Sequence, residues 1–474
     1  MAKIFEVARV TPSTHSPESA TELSLPLTFF DVYWLKFHPV ERLFFYQHTD
    51  LTLTFFNSVL VPKLKQSLSH ALLHYLPFAG SITWPEDQHA PKPFILYTPN
   101  DGVSVTVAES YQDFFHLSGN QIRKTIESSA YVPELPVSDS KAATIAFQIT
   151  LFPNQGFAIG VSSHHAIFDG KSVTMFMKAW AYICKQSQEN DKIPCVLPEE
   201  LTPFLDRTVV RDPYGLDMIY LNNWSEAKLP GLNANNHRSL KLYQAKEFVA
   251  NSVRATFKLN LEDIKKLKQK IVSQLNDPDY IKSMHLSRFV VSYAYILLCI
   301  VKARKPEKGT MVIFVVISDC RSRLDPPIPA SYFGNCVNGY PIFTQAEPIL
   351  SENGLAFVAK KLSERIKGLE KEAVISEGLK NNLAGYIKAM ERESSVGEAI
   401  AVGVAGSPKF EVYGTDFGWG KPDKVEISSL GNGSMSMAES RDGNGGFEIG
   451  MVLRNHDEME MFDSIFVDGL KDLH

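Results

Sequence analysis

The segment Val161 to Gly170 carries the residue types that acid–base chemistry requires. An alternating apolar run gives way to His165, and a carboxylate, Asp169, follows four residues later, directly before a glycine. The alternation predicts a strand that passes into a loop. Because the ordinary pKa of histidine is ~6.5, neutral His165 can take a proton from an alcohol while Asp169 orients the ring or braces the loop. The spacing H-x-x-x-D also arises by chance, so a hydrogen-bonded structural histidine explains it equally well at this point.

A second segment, Tyr413 to Pro422, is dense in glycine and aromatic residues around one carboxylate, Asp416. Glycines at this density predict backbone conformations or close approaches that a side chain would forbid. Pro422 interrupts any regular strand pairing. Taken alone, the segment is typical of a tight loop between strands.

Together the two segments resemble the signature of the plant acyl-CoA-dependent acyltransferases called the BAHD family, H-x-x-x-D-G followed by D-F-G-W-G. The matching residues are His165, Asp169 and Gly170, then Asp416, Phe417, Gly418, Trp419 and Gly420. The resemblance covers nearly the whole chain, through the segments Leu25 to Asp31, Leu64 to Ser69, Tyr75 to Gly80 and Asp319 to Pro327. Tyr332-Phe-Gly-Asn-Cys336 resembles the motif of the branch that acylates sugars on anthocyanins, flavonoids and other phenolic glycosides.

The resemblance implies an α/β fold of two similar chloramphenicol-acetyltransferase-like domains, each a mixed sheet with helices, around a central channel. We expect an N-terminal domain at 1–185, a crossover linker at 186–241 and a C-terminal domain at 242–474. A chain of 474 residues is long enough for two domains. The crossover is polar and turn-rich, and we expect no sustained periodicity in it.

Hydrophobic periodicity predicts alternating helices and strands along the chain. The predicted helices are Val61–Tyr75, Ser172–Cys184, Leu261–Val272 and Leu355–Glu372, with a further helix that runs from an N-cap at Ser287 through Ile300. The predicted strands are Ile4–Val10, short strands within Phe94–Val107, Ala255–Leu259, Met311–Ile317, and strands around Phe410, Val425 and Phe447. The apolar residues of the helix after Asp169 are expected in the core rather than against a cofactor.

The resemblance also implies a role for each candidate site residue. His165 is expected to be the general base. Asp169 is expected to pair with Arg321 and so to position the loop that carries His165. Asp416, Gly418 and Gly420 are expected to support the site. Trp419 and Thr415 are candidates for oxyanion or acyl positioning, although packing explains Trp419 equally well. The expected coenzyme A contacts are Ser407, Lys409 and Ser287, with a solvated loop lysine as the alternative for Lys409.

These roles predict transfer of an acyl group from acyl-CoA to a sugar hydroxyl, most favourably malonyl to the 6-hydroxyl of a glucose on a flavonoid, isoflavone or anthocyanin. Malonyl-CoA carries a free carboxylate, for which Lys171 is the nearest candidate cation. The alternatives are a hydroxycinnamoyl-CoA transferase, transfer from another activated ester, and a non-catalytic binding protein on this fold. No G-x-S-x-G elbow is present, which disfavours an α/β-hydrolase. Acyl-CoA is expected as a co-substrate, with no permanently bound cofactor.

Composition excludes several other classes of protein. A net charge of −5 provides no electrostatic attraction to nucleic acid or anionic membrane. The five cysteines are scattered without C-x-x-C spacing, which disfavours a disulfide framework and a metal site. Glu6 and Arg9 stand where a signal peptide needs apolar residues, and no apolar run reaches the ~18 residues of a membrane span. We therefore expect a cytoplasmic monomer.

Overall fold

The computed structural model describes residues 2–13, 17–85, 90–190, 196–232, 236, 238–244, 251–275, 277–393 and 399–473. The strands, in chain order, are β1 Lys3–Val10, β2 Leu23–Pro26, β3 Val40–Gln47, β4 Ser81–Thr83, β5 Phe94–Tyr97, β6 Val103–Glu109, β7 Arg123–Lys124, β8 Lys141–Ala143, β9 Ile145–Phe152, β10 Gly156–Ser163, β11 Val253–Leu259, β12 Met311–Asp319, β13 Val337–Gln345, β14 Ile400–Val402, β15 Val404–Ala405, β16 Lys424–Ile427, β17 Met435–Glu439 and β18 Phe447–Leu453. The α-helices are α1 Phe29–Tyr33, α2 Leu53–Phe55, α3 Val61–His74, α4 Leu76–Ala79, α5 Phe114–Ser118, α6 Ile126–Ser129, α7 Gly170–Asn190, α8 Leu216–Glu226, α9 Leu261–Ser273, α10 Pro278–Ser283, α11 Arg288–Arg304, α12 Ala346–Leu350, α13 Gly354–Lys371, α14 Asn382–Glu393 and α15 His456–Lys471. None of the described helices has the length and apolarity needed to cross a membrane.

Four sheets organise these elements. The first has six strands in the order β1-β6-β9-β10-β3-β16, and the second has four in the order β2-β5-β4-β8. The other two are a five-stranded sheet, β15-β17-β18-β11-β7, and a three-stranded sheet, β13-β12-β14. β6 pairs with β9 in parallel, whereas β9, β10 and β3 are antiparallel neighbours. The predicted mixed α/β architecture is confirmed.

Two short strands cross between the halves of the chain. β16, from the C-terminal half, pairs with β3, while β7, from the N-terminal half, pairs with β11. At this crossing the buried carboxylate of Glu426 is paired with the guanidinium groups of both Arg123 and Arg254. Burial opposes ionisation of Glu426, yet the two arginines hold its pKa below the ordinary value. The crossing therefore ties the halves together through a buried charge cluster.

The crossover segment contains more regular structure than its composition predicts. α7 continues through the expected boundary to Asn190, and α8 lies inside the segment. Leu216, Tyr220 and Trp224 recur at helical spacing and are buried, and the indole of Trp224 donates to the backbone oxygen of Val32 at 3.0 Å. The expectation of no sustained periodicity was wrong here, because turn residues flank a short run whose apolar residues recur at helical spacing.

Most of the other predicted elements are confirmed. Ser287 is the N-cap of α11, where its hydroxyl oxygen accepts from the backbone N–H of Val290 at 3.3 Å. The strand predicted around Phe410 is wrong, because Pro408–Phe410 forms a 3-10 turn. Pro408 occupies the first position of that turn, and the hydroxyl of Ser407 caps it, so the backbone is unavailable for strand pairing.

Candidate active site

β10 and α7 together position the loop that carries His165, which we call the base loop. β10 pairs along its whole length with β9 on one side and β3 on the other, and all of its residues are buried. α7 begins at Gly170, so the loop between the two elements spans only 164–169. A Cβ at Gly170 would lie 2.9 Å from the ring of Phe410 and 3.2 Å from Nη2 of Arg42. The glycine of the motif therefore permits a close approach of two other segments to the base loop.

The imidazole of His165 lies in an aromatic enclosure. It stacks on the indole of Trp34, with ring centroids 4.2 Å apart, and meets the edge of Phe37 at 5.9 Å. Burial lowers the pKa of His165 to about 4, and its own backbone carbonyl and Asp169 only partly offset this. Nδ1 forms no hydrogen bond of good geometry with any described residue. The ring is consequently neutral near pH 7 and able to accept a proton.

His164 points elsewhere. Its side chain is fully buried, Nδ1 accepts from the backbone N–H of Ala166 at 3.2 Å, and burial lowers its pKa to about 3. The two adjacent imidazoles therefore sit in different environments. Across the described ranges, the one cluster of potential metal ligands is His456, Asp457 and Glu460, exposed on α15.

Asp169 and Arg321 form a buried ion pair, with Nη1 and Oδ2 2.8 Å apart. The other contacts of Asp169 are backbone N–H groups, of Ser172 at 3.0 Å and Cys336 at 3.1 Å. Burial works against the cation, yet the Asp169 carboxylate raises the pKa of Arg321. The pair expected from the resemblance is present, and the carboxylate braces the loop rather than the His165 ring.

Arg321 also holds the Tyr332–Cys336 motif against the base loop. Its Nη2 donates to the backbone oxygens of Tyr332 and Gly334 at 3.0 and 3.1 Å. The same Nη2 lies 3.1 Å from the hydroxyl of Ser172 at the start of α7. One guanidinium therefore joins the motif to Asp169, at the end of the base loop, and to Ser172, in the first turn of α7.

Asn335, Asp31 and Arg207 also hold this loop, and the sequence predicted no role for them. Nδ2 of Asn335 donates to the carbonyl oxygen of His165 at 2.9 Å and to Oδ1 of Asp31 at 3.1 Å. Asp31 pairs with Arg207 at 2.6 Å, and Nη2 of Arg207 donates to the carbonyl oxygen of Ile167 at 2.8 Å. An aspartate inside the apolar segment Leu25 to Asp31 was the available signal, because an isolated carboxylate in such a run requires a buried partner.

The Asp416–Gly420 loop clamps onto the far half of α7. Asp416 pairs with Lys185 at 2.7 Å and accepts from the N–H groups of Gly418 and Gly420 at 2.8 and 3.0 Å. Partial burial opposes ionisation, yet these donors hold the pKa of Asp416 below its ordinary value. Both glycines have positive φ, 102° and 99°. The loop therefore folds around the carboxylate of Asp416, to which its glycine N–H groups donate. The supporting role expected for these residues is thus to hold the shape of the loop.

The oxyanion expectation for Trp419 is wrong on distance. Its indole meets the ring of Phe157, near the start of β10, with centroids 6.1 Å apart. At roughly 3.3 Å per residue, Phe157 and Ser163 lie about 20 Å apart along the strand. α7 supports the same separation, since at 1.5 Å per residue Lys185 is roughly 22 Å beyond Gly170. Trp419 therefore lies at the opposite end of the sheet from His165.

Thr415 shares this location. Its hydroxyl is buried and donates to the carbonyl oxygen of Val412 at 2.8 Å. Its own carbonyl oxygen accepts from the hydroxyl of Tyr46 at 2.9 Å, and Tyr46 is the β3 partner of Phe157. The positioning role expected for Thr415 is also wrong, because Thr415 lies as far from His165 as Trp419 does. A sequence motif does not show which end of a distant strand its residues contact.

The expected coenzyme A residues are only partly brought together. Lys409 is exposed and forms no ion pair with a described residue, and its backbone N–H donates to the Ser407 hydroxyl at 3.2 Å. Phe410 places this turn against Gly170 and hence beside the base loop. Ser287 caps α11, and no described side-chain contact joins it to the turn. Lys171 is partly exposed and pairs with Asp319 at 3.3 Å.

Known proteins and a family model match this chain over nearly its whole length. The model of the Transferase family matches residues 2–468. Phenolic glucoside malonyltransferase 1 of Arabidopsis thaliana is 44% identical, with 99% of this chain and 98% of that protein covered. The malonyl-CoA:anthocyanidin 5-O-glucoside-6''-O-malonyltransferase of the same plant is also 44% identical, with the same coverage of 99% and 98%.

Solved structures share the fold. The crystal structure of vinorine synthase superposes with a TM-score of 0.66 at 20% identity, covering 97% of this chain and 96% of that one. The structure of F. graminearum TRI101 complexed with coenzyme A and T-2 mycotoxin has a TM-score of 0.65 at 17% identity, with 94% and 97% covered. At these identities the likeness establishes the architecture alone.

Proposed function

The chain belongs to the Transferase family of BAHD acyl-CoA-dependent acyltransferases, and from that premise we propose that it transfers malonyl from malonyl-CoA to a sugar hydroxyl of a phenolic glycoside. The names of its 44% identical relatives support both substrates. The observation that carries the proposal is the neutral imidazole of His165, set against aromatic rings at the end of a rigid strand. The 6-hydroxyl of glucose is the proposed acceptor atom.

The proposed reaction needs one base and no acyl-enzyme intermediate. His165 takes the proton of the sugar hydroxyl as that oxygen attacks the thioester carbonyl carbon. The tetrahedral intermediate collapses with cleavage of the C–S bond, and the imidazolium returns its proton to the departing thiolate. A thioester is electrophilic enough for direct attack, so precise alignment of the two substrates supplies much of the remaining rate.

Aromatic residues next to the base suit a flat phenolic aglycone. The rings of Phe37 and Tyr386 stack with centroids 5.5 Å apart, and Tyr33 adjoins Tyr386 at 6.2 Å. Tyr386 remains 41% exposed, so one side of this cluster is open to a ligand. A phenolic ring gains both apolar burial and offset or edge-to-face contacts on such a surface. This supports an aromatic glycoside over a simple sugar as acceptor.

The loop network supports His165 and Asp169 as the central pair. We propose that Arg321 acts through Asp169, and that Asp416, Gly418 and Gly420 stabilise the far side of the scaffold. Lys409 and Ser407 are the proposed contacts for coenzyme A phosphates, because an exposed lysine with no ion-pair partner among the described residues can bind a phosphate. Ser287 is a weaker candidate. A cytoplasmic monomer with domains at 1–185 and 242–474 completes the proposal.

Purified protein incubated with a panel of acyl-CoA donors and phenolic glucosides tests this function. Mass spectrometry should show a malonyl mass increase on the glucoside and none on the free aglycone. His165→Ala protein, checked for folding, serves as the matched control. A hydroxycinnamoyl increase in preference to malonyl would support the alternative donor, and no transfer from any CoA thioester would overturn the proposal.

A further inference from the structure

Five arginine residues are buried in the part of the chain that the structure describes, and one of them differs from the rest. Each of four pairs with a carboxylate: Arg123 and Arg254 with Glu426, Arg207 with Asp31, and Arg321 with Asp169. Arg42 is only 4% exposed, and among the described residues its guanidinium pairs with no carboxylate. A buried cation without an anionic partner is costly, and such groups in proteins are normally paired.

The surroundings of Arg42 leave part of its guanidinium unused. Nη1 donates to the hydroxyl of Thr174 at 2.8 Å. Nη2 forms only a long contact, of 3.4 Å, with the carbonyl oxygen of Gly170. Nε has no partner among the described residues. Burial lowers the pKa of Arg42 to about 10, and the nearby Asp169 carboxylate only partly offsets this. The site is therefore short of one anion.

The fold places this cation beside the base loop. Arg42 lies on β3, paired with Val161 of β10 and Ile427 of β16. Its contacts with Gly170 and Thr174 show that the side chain faces the start of α7. Phe410, the last residue of the turn proposed to bind coenzyme A, approaches the same glycine. Arg42 thus lies between the base loop and the segment proposed for the donor.

We propose that Arg42 binds the free carboxylate of the acyl group on the donor, which makes it the residue that selects malonyl-CoA over uncharged acyl-CoA. The inference rests on the proposed function, because it names the contact for that donor. The reacting carbonyl must lie at His165, so the remote end of a short acyl group lies a few bonds away. A guanidinium matches a carboxylate with two parallel hydrogen bonds.

Arg42 replaces Lys171 as the expected cation. Lys171 is partly exposed and already paired with Asp319 at 3.3 Å, so water and that carboxylate satisfy it. Asp169 forms no ion pair with Arg42, and its carboxylate already interacts with Arg321, Ser172 and Cys336. An incoming carboxylate is therefore the missing partner.

Arg42→Met tests the proposal through the ratio of kcat/KM for malonyl-CoA to that for acetyl-CoA. We expect the ratio to fall by about 30- to 100-fold, the size typical of a lost charge-assisted contact. The melting temperature should stay the same or rise, because the variant removes an unpaired buried charge. Arg42→Lys keeps the cation and should retain part of the preference. It also provides the ratio if the methionine variant does not fold.

Two control variants separate this role from a structural one. Arg321→Met breaks an ion pair and should lower both rates and the melting temperature, while Lys171→Met should leave the donor ratio within threefold. Equal losses with both donors in Arg42→Met would overturn the proposal. So would loss of discrimination between malonyl-CoA and its 3'-dephospho analogue, since Arg42 would then bind a phosphate.

Calorimetric binding of malonyl-CoA and acetyl-CoA gives a readout that does not depend on turnover. Wild-type protein should bind malonyl-CoA more tightly, and Arg42→Met should bind the two equally. If wild-type protein fails to transfer malonyl to any glycoside yet shows this pattern, the proposed function fails while the carboxylate contact stands. If malonyl transfer is present and the binding pattern is unchanged in the variant, the contact fails instead.

Discussion

The imidazole of His165 lies face to face with the indole of Trp34, with ring centroids 4.2 Å apart and an interplanar angle of 6°. This stack covers one face of the imidazole. No described residue forms a hydrogen bond with Nδ1, so the stack rather than a hydrogen bond at this atom fixes the plane of the ring. The electron-rich face of an indole also stabilises a neighbouring cation. The same contact therefore holds the neutral ring and favours the imidazolium that forms during transfer.

Trp34→Leu should lower kcat by about 10-fold, the size of one lost aromatic contact. Burial is the largest cause of the lowered pKa of His165, so access of water to the ring should outweigh the lost cation–π contact and raise this pKa toward its ordinary value. The acid limb of the kcat/KM profile should move to higher pH. Trp34→Phe, which keeps a stacking ring, is the control. An unmoved limb in Trp34→Leu would show that the indole does not shield the base.

His165→Ala should abolish transfer while leaving the fold intact. A single proton-transfer group typically contributes ~10²–10⁴ in rate, and none of the described residues places a second base against this ring. Circular dichroism and the melting temperature check the fold, and product formation is followed by mass spectrometry. Near wild-type turnover in folded protein would contradict the mechanism.

The pH dependence follows from the two lowered histidine pKa values. With a pKa of about 4, His165 stays neutral at mildly acidic pH, so activity should persist well below pH 6.5 before protonation removes the base. The ordinary histidine pKa is ~6.5, so the unfolded chain takes up protons first as the pH falls. Stability should thus be full above about 6.5 and decline toward pH 4, continuing toward 3 for His164. Activity and denaturation profiles across this range check both.

Breaking the Asp169–Arg321 pair should cost activity and stability together. Arg321→Met leaves the buried Asp169 carboxylate uncompensated, which typically costs about 3–5 kcal/mol. Asp169→Asn should cost less, because Arg321 keeps a second carboxylate partner, Asp319 at 3.0 Å. Asp169→Asn and Arg321→Met should each lower the melting temperature, and the double variant should lose less than the sum. Thermal denaturation of all four proteins measures this coupling. Strictly additive losses would mean that the pair contributes nothing.

Lys409→Ala should raise KM for malonyl-CoA several-fold and change saturating turnover little. Contacts remote from the reacting carbonyl bind the ground state and the transition state alike, so their loss appears in KM. Wild-type protein should prefer malonyl-CoA to its 3'-dephospho analogue, and the variant should not. A retained preference would assign the phosphate to another residue. Lys421→Ala, another lysine of the same C-terminal region, is a matched control.

The sequence by itself identified the family and predicted His165 as the base and Asp169 as the residue that braces its loop. His165 and Asp169 stand in a short loop between a strand and a helix whose periodicity is local, and local periodicity can be read from neighbouring residues. The Asp169–Arg321 pair followed from the resemblance of two motifs rather than from spacing. α8 was missed because its apolar run is flanked by turn residues.

Only the tertiary structure decided which distant residues meet at the base. Asp31, Arg207 and Asn335 converge on the loop from three separate segments, and nothing in their spacing encodes that meeting. Trp419 was expected near the reacting atoms because its motif marks the family. It contacts Phe157 near the start of β10, whereas His165 follows the end of that strand, so the length of β10 separates them. Arg42 is recognisable as unpaired only once the carboxylate partners of the other buried arginines are known. Burial and pairing are properties of the assembled core, because each depends on chains of contacts far apart in sequence.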